Sequence, residues 1–225
     1  LIRHSSNSKM QELSALIDSA PYLLSTAEKL EKYLKVQIEE CKYDQTANKA
    51  LMKYYQISCC NPNVENICNI LILAMMRLPS NDFLSLSYLI PTRLSTNPKI
   101  QHIMQCADLL QRANFARFWN EVFNTLVSNF NEVNGFAESI RVFVLKSLSY
   151  TFKSITLSAL EVQLCLDTPS IVAFCNSHGS IVEKVVGDIV VFATNEDIQH
   201  KSSSFESPLE MEESLRAIEC LRSVQ

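Results

Sequence analysis

Residues 155–193 read ITLSALEVQLCLDTPSIVAFCNSHGSIVEKVVGDIVVFA. Ile155–Leu166 carries its apolar residues at helical spacing and predicts a short helix. Asp167-Thr168-Pro169 supplies a cap and then a proline in the first turn, where a missing N–H is no loss, so a second helix runs from here to His178. Gly179 is expected to stop it in the left-handed position beyond the C-cap. Two β-branched runs follow, Ile181–Val186 and Ile189–Ala193. The Gly187-Asp188 link between them has glycine first, which is what a type II′ hairpin turn requires. Two helices and a terminal hairpin in so short a stretch are the layout of a winged helix, placed at residues 151–194.

Upstream the reading is helix after helix, from Tyr22 to about Tyr150. Ser25-Thr26-Ala27-Glu28 fits a capping box, and behind it Leu30, Tyr33, Leu34, Ile38 and Cys41 recur at helical spacing. Asp44 is placed to cap a second helix with Ala47, Ala50, Leu51 and Tyr54 on one face. A third, Asn63 to Leu78, is apolar on most sides, as a helix buried between neighbours must be. Pro79 ends it, and a shorter helix runs from Asp82 to Pro91. Asn97-Pro98 opens the next, which carries Ile100, Ile103, Met104, Ala107 and Leu110. An aromatic-rich helix holds Phe115, Phe118, Trp119, Val122, Phe123, Leu126 and Phe130. Gly135 separates it from a last one with Phe136, Ile140, Phe143, Val144 and Leu148. Helices joined by short links read as stacked antiparallel pairs of the HEAT or TPR kind, without a strict sequence period.

The expected fold class is therefore mainly α: a HEAT/TPR-like helical repeat domain (22–150) after an N-terminal segment (1–21), then a small winged-helix domain (151–194), a PCI-like arrangement. Residues 195–207 are polar and serine-rich and read as a linker. Ser207-Pro208-Leu209-Glu210 opens a C-terminal helix, 208–225, with Met211, Leu215, Ile218 and Leu221 on one stripe. A lone helix of that length is marginal in water, so the stripe must dock to be ordered.

Composition narrows the chemistry. The 225 residues are 47% hydrophobic and 20% charged, with mean hydropathy +0.04, which excludes disorder over the whole length. Only three glycines occur, Gly135, Gly179 and Gly187, and no G-x-G-x-x-G or Walker-type phosphate loop can be written from them. The eight cysteines (41, 59, 60, 68, 106, 165, 175, 220) contain no C-x-x-C, are sparse for a disulfide scaffold, and sit largely in apolar helical patterns. They read as reduced, structural thiols of a cytosolic or nuclear protein. The longest apolar run, Ile70–Met76, is too short to span a bilayer.

The four histidines (4, 102, 178, 200) are scattered, with no H-E-x-x-H and no G-x-S-x-G. His102 falls on the polar side of its helix and His178 at a helix C-terminus, where the dipole favours a cation. Cys175 and His178, three residues apart on one helix, are spaced so that they could meet as a thiol–imidazole pair, but no third orienting group or oxyanion site goes with them. Glu39-Glu40 and Glu212-Glu213 read as solvated helix faces. The expectation is no enzyme, no catalytic residue, no metal and no cofactor.

Charge weighs against duplex readout by the winged helix. Residues 1–155 hold 16 basic against 13 acidic residues, whereas 156–199 hold Lys184 against six acids. The helix Thr168–His178, which would enter the major groove, has no Lys or Arg to neutralise phosphates. Lys29, Lys32, Lys35, Lys42, Lys49 and Lys53 upstream read as wet helix faces, peripheral to any RNA. What remains is surface for proteins: helical grooves, the 181–193 hairpin as a strand-pairing edge, and the tail stripe. The candidate interaction residues are Val185 and Val191 in the hairpin and Met211, Leu215, Ile218 and Leu221 in the tail.

Several stretches, in order and spacing, carry a resemblance. They are Leu30-Glu31-Lys32-Tyr33; Tyr43-Asp44 with Ala47-Asn48 and residues 54–56; and Leu78-Pro79-Ser80-Asn81-Asp82-Phe83. Asp108-Leu109-Leu110 follows, then Phe115, Phe118 and Trp119, and finally Gly135-Phe136 with Ser139-Ile140-Arg141. Over roughly 25–193 the chain resembles the subunit k family of eukaryotic translation initiation factor three, one of the PCI-type scaffold families. The residues 1–20 and the β-branched run Ser180–Val186 depart from that pattern. The resemblance implies a non-catalytic, cytoplasmic or also nuclear scaffold subunit that reaches the 40S ribosomal subunit through its complex. It implies other initiation factor three subunits as partners, subunit l the direct neighbour, and a C-terminal helix gathered into a shared bundle. Rival readings are the equivalent small subunit of the proteasome lid or the COP9 signalosome, and, in another class, a winged-helix nucleic-acid-binding regulator.

Overall fold

The helix α1 (Leu24–Glu40) buries Leu30, Leu34 and Ile38 along one face. Its start corrects the expected capping box. The N-cap is Leu23, whose carbonyl accepts from the N–H groups of Thr26 and Ala27, and Ser25 lies exposed inside the first turn. The backbone is already helical at the serine, and a capping hydroxyl works only from the extended residue before the helix. Cys41 also leaves the buried stripe, ending the helix exposed and left-handed at φ 51°. These details come from a computed structural model that describes residues 23–58, 62–123 and 135–194, with Ile17 and Thr125 besides. The described residues up to Ala193 fall in one compact unit.

Asp44 does cap α2 (Gln45–Ile57), its carboxylate accepting from the Ala47 N–H at 3.1 Å. Across the α1–α2 interface two buried amides clasp each other: Gln37 Nε2 donates to Asn48 Oδ1 at 3.1 Å, and Asn48 Nδ2 donates to Gln37 Oε1 at 3.0 Å. Both side chains thereby satisfy groups that would be costly to bury alone. The Tyr55 hydroxyl adds a second tie, donating to Glu31 and accepting from Asn66 Nδ2 at 3.0 Å. Burial and the neighbouring Glu31 carboxylate both raise its pKa.

The all-round apolar stretch becomes α3 (Val64–Met75), capped by the Asn63 side chain, which accepts from the Glu65 N–H. Every residue from Ile67 to Met75 is buried. The helix meets α1 and α2, then α4 (Asp82–Ser87) and, beyond a short 3₁₀ turn at Thr92–Leu94, α5 (Pro98–Gln111). α4 stops well before Pro91, so that expected helix is shortened. Asn97 caps α5 with Pro98 at its first position. Met104, expected on the core stripe of α5, is exposed instead.

The aromatic-rich segment departs from a regular α-helix. α6 (Phe115–Arg117) passes directly into a π-helical turn at Phe118–Phe123. Phe118, Trp119 and Val122 are buried there, and Leu126 and Phe130 lie outside the described residues. Gly135, at φ 76°, precedes α7 (Phe136–Thr151), which buries Phe136, Ile140, Val144, Leu145 and Leu148.

The remainder is an α/β segment: β1 (Ser154–Thr156), α8 (Leu157–Leu164), α9 (Thr168–Ser177), β2 (Val182–Val186) and β3 (Ile189–Phe192). Its sheet is antiparallel in the order β1-β3-β2. Two expectations are corrected. Ile155 belongs to a strand, paired with Val190, rather than to a helix, and Thr156 ends that strand by capping α8 through its hydroxyl. A three-residue strand is too short to show a period of two, and only its partner β3 defines it. Gly179 is not left-handed; α9 closes at His178, whose carbonyl accepts from the N–H groups of Ile181 and Val182. The hairpin turn has Gly187 at φ 59° with Asp188 outside the left-handed region, as a type II′ turn demands. The Asp188 carbonyl accepts from the Leu157 N–H, tying the turn to the start of α8.

Candidate protein-interaction surfaces

The sheet has two sides of different character. Ile155, Val185 and Val190 occupy one register row, with Val182 and Phe192 on the same side, and these pack into the core. Thr156, Ile189 and Val186 form the next row, with Ser154, Val191 and Lys184 beyond it, facing outward. Of the two hairpin candidates, Val185 is therefore a core-side residue, and Val191 is half-buried on the outer side. Val186 and Ile189, 57% and 46% exposed, are the outer-face residues that sequence reasoning missed. Strict alternation outward from the turn would have assigned them once the Val186–Ile189 pair was fixed.

The edge is also redefined. β3 runs between β1 and β2 and spends both its sides on pairing, so Val191 does not lie on an edge strand. Among the described residues β2 pairs on one side only. It is the longer of the two edges, and a bulge at Glu183 interrupts its register with β3. Such bulges, with a Lys184 beside them, are the usual means by which an edge discourages indiscriminate pairing. Met211, Leu215, Ile218 and Leu221 lie outside the described residues, as do the linker and the C-terminal helix.

The groups weighed for chemistry are engaged elsewhere. His178 does not turn toward Cys175. Its ring lies 4.4 Å from the Phe174 ring, with Nδ1 2.9 Å from the Phe174 carbonyl. Cys175 is buried, and desolvation raises its thiol pKa. Burial likewise pushes the Cys68 and Cys106 thiols up to about 12, the opposite of what a reactive thiolate needs. Cys68, Cys106, Cys165 and Cys175 are free thiols. His102, expected on a polar face, is half-buried with Nε2 3.2 Å from the Val122 carbonyl. Lys29, Lys32, Lys35, Lys42, Lys49 and Lys53 are exposed, and Lys42 pairs with Glu40 at 2.6 Å.

A mainly helical chain closed, among the described residues, by one small antiparallel sheet is PCI-like in architecture. Comparison with known proteins agrees. The model of the CSN8/PSMD8/EIF3K family matches residues 62–203, and the chain belongs to that family. It is 29% identical over 198 residues to eukaryotic translation initiation factor 3 subunit K of Dictyostelium discoideum, covering 88% of this chain and 79% of that one. The subunit K of Pyricularia oryzae is 30% identical over 199 residues, covering 84% and 82%. That of Drosophila persimilis is 36% identical over 134 residues, which span 59% of each chain.

Proposed function

We propose that this protein is a non-catalytic scaffold subunit of translation initiation factor three, working through protein–protein contacts in assembly of the 40S pre-initiation complex. One observation carries the reading: similarity to subunit K relatives from an amoeba and a fungus extends over 84–88% of the chain. The helical array followed by a winged helix is the shape such a role requires, with an outward β2 edge and an apolar tail stripe as its docking elements. On this reading subunit l is the direct neighbour, the protein is cytoplasmic, and Met211, Leu215, Ile218 and Leu221 anchor it in a shared helical bundle. The α9 helix, without a Lys or Arg, supplies no duplex contact.

The test is affinity purification of the tagged chain from nuclease-treated cytosol, with mass spectrometry of what remains bound. Recovery of initiation factor three subunits with the 40S subunit is expected. Recovery of proteasome-lid or signalosome subunits would keep the architecture and overturn the complex. The paired substitution Leu215→Asp with Ile218→Asp should then release the chain from its partners while leaving its own thermal unfolding nearly unchanged.

A further inference from the structure

The last carbonyls of a helix have no intrahelical donor and must find one elsewhere. At the end of α8 the donors come from the helical array. Trp119 Nε1–H donates to the Gln163 carbonyl at 2.9 Å, and Arg141 Nε–H donates to the Leu164 carbonyl at 3.2 Å. The Cys165 N–H closes the helix onto the Glu161 carbonyl at 2.9 Å. Two consecutive carbonyls of the α/β segment are thus held by side chains on two different array helices.

These donors also hold each other. The Arg141 guanidinium carbon sits 5.2 Å from the Trp119 ring centroid, within reach of a cation–π contact. A cation beside a helix C-terminus is further favoured by the dipole of α8. Trp119 is only 3% exposed, and its ring meets Phe118 and Phe123 at 5.0 and 4.7 Å. The π-helical turn that carries it is itself engaged from α5 through His102 and the Val122 carbonyl. π turns persist where a side chain has been re-aimed for a purpose, and here the re-aimed indole reaches the neighbouring segment.

We infer that Trp119 and Arg141 form a latch that caps α8 and makes the α/β segment move with the helical array as one body. Beside it, Leu157, Leu160 and Leu164 of α8 share the apolar core with α6 and α7, a contact without direction, and the chain crosses at Thr151 to Ser154, where Phe152 is extended and exposed. With the latch, a partner engaged by the β2 edge is held at a fixed orientation to the array. The inference does not depend on which assembly the chain joins.

Hydrogen exchange of the full chain, read by peptide mass spectrometry, tests this. Arg141→Gln removes a half-buried cation without emptying the core, and Trp119→Phe removes the indole donor but keeps a ring. In either variant, peptides across 157–164 and 182–192 should exchange about tenfold faster, while those across α1–α3 change less than about twofold. The double variant should add little to the worse single one, because both act on one helix end. Equal acceleration in array and α/β segment would overturn the latch, making Trp119 an ordinary core residue. No acceleration in Arg141→Gln would overturn it as well.

Discussion

The array and the α/β segment bury their residues in different ways. In the array, α3 contributes nine consecutive buried residues, Ile67–Met75, and is enclosed by α1, α2, α4 and α5. Among the described residues no element of the α/β segment is enclosed: α8 buries Leu157, Leu160 and Leu164, α9 Ile171 and Cys175, and the sheet one side. An enclosed helix draws stability from every face, whereas a one-sided layer depends on strand pairing and on whatever fixes its far end. Among the described residues the array is therefore the more enclosed part of the protein, and the α/β segment the more open one.

Truncation within α3 is the most direct way to break the comparison. Leu71 is fully buried, and Leu71→Ala should cost about 2–5 kcal/mol, the transfer loss plus an uncollapsed cavity. Urea unfolding followed by far-UV circular dichroism reads this. A loss below about 1 kcal/mol would mean that α3 is not the enclosed centre described.

Next in size comes a contrast within the sheet. Val191→Pro removes a ladder donor from the central strand, orphaning a partner carbonyl at roughly 1–3 kcal/mol before any steric strain. Glu183→Pro, at the bulge of the β2 edge, should cost clearly less. Circular dichroism and thermal unfolding of the two variants measure the difference. Equal losses would mean that β2 is not an edge. For the same reason proline at Val191 reports on the fold of the segment and not on association with a partner.

A smaller effect sharpens the account of the array. Asn48→Leu leaves the buried Gln37 amide without its reciprocal partner and should cost about 1–3 kcal/mol. Adding Gln37→Met removes the orphaned amide but also the Oε1 that accepts from the Asp44 N–H at 3.0 Å, so it should recover only part of that loss. If the double variant recovered nothing, the hold of Gln37 Oε1 on the Asp44 N–H would outweigh the clasp with Asn48.

What could be read from sequence follows the same division. The array helices announce themselves by apolar spacing and by Asp44, Asn63 and Asn97, because both signals are local. The α/β segment was legible where the signal was local too, in the Gly187-Asp188 turn and the proline at Pro169. It was not legible at β1, since Ile155 becomes a strand only through pairing with Val190, 35 positions away in the chain. The centrality of β3 follows from that same pairing, whereas the separation of Val185 from Val186, Ile189 and Val191 lay in the alternation outward from the turn. The π turn at Phe118–Phe123 is equally tertiary in origin: its sequence FWNEVF has an ordinary helical pattern.

Helix termination shows the smallest effect, and there the sign of a substitution is at stake. α5 ends in a Schellman motif, with the Ala113 N–H on the Leu110 carbonyl and the Asn114 N–H on the Leu109 carbonyl. Ala113, at φ 55°, occupies the position that ordinarily belongs to glycine. α1 ends the same way around Cys41, its N–H on Ile38 and that of Lys42 on Gln37. A side chain in the left-handed region costs about 1–2 kcal/mol, part of which glycine returns as unfolded-state entropy. Ala113→Gly and Cys41→Gly should therefore each stabilise the protein by about 0.5–1 kcal/mol. Gly179 is the converse case: its φ lies outside the left-handed region, and a Cβ there would meet nothing within 4 Å. Gly179→Ala should stabilise by about 0.4–1 kcal/mol, whereas Gly187→Ala, at φ 59°, should destabilise by more than that. Thermal unfolding of the four variants orders them, and a destabilising Gly179→Ala would return that glycine to the helix-ending role its sequence position suggests.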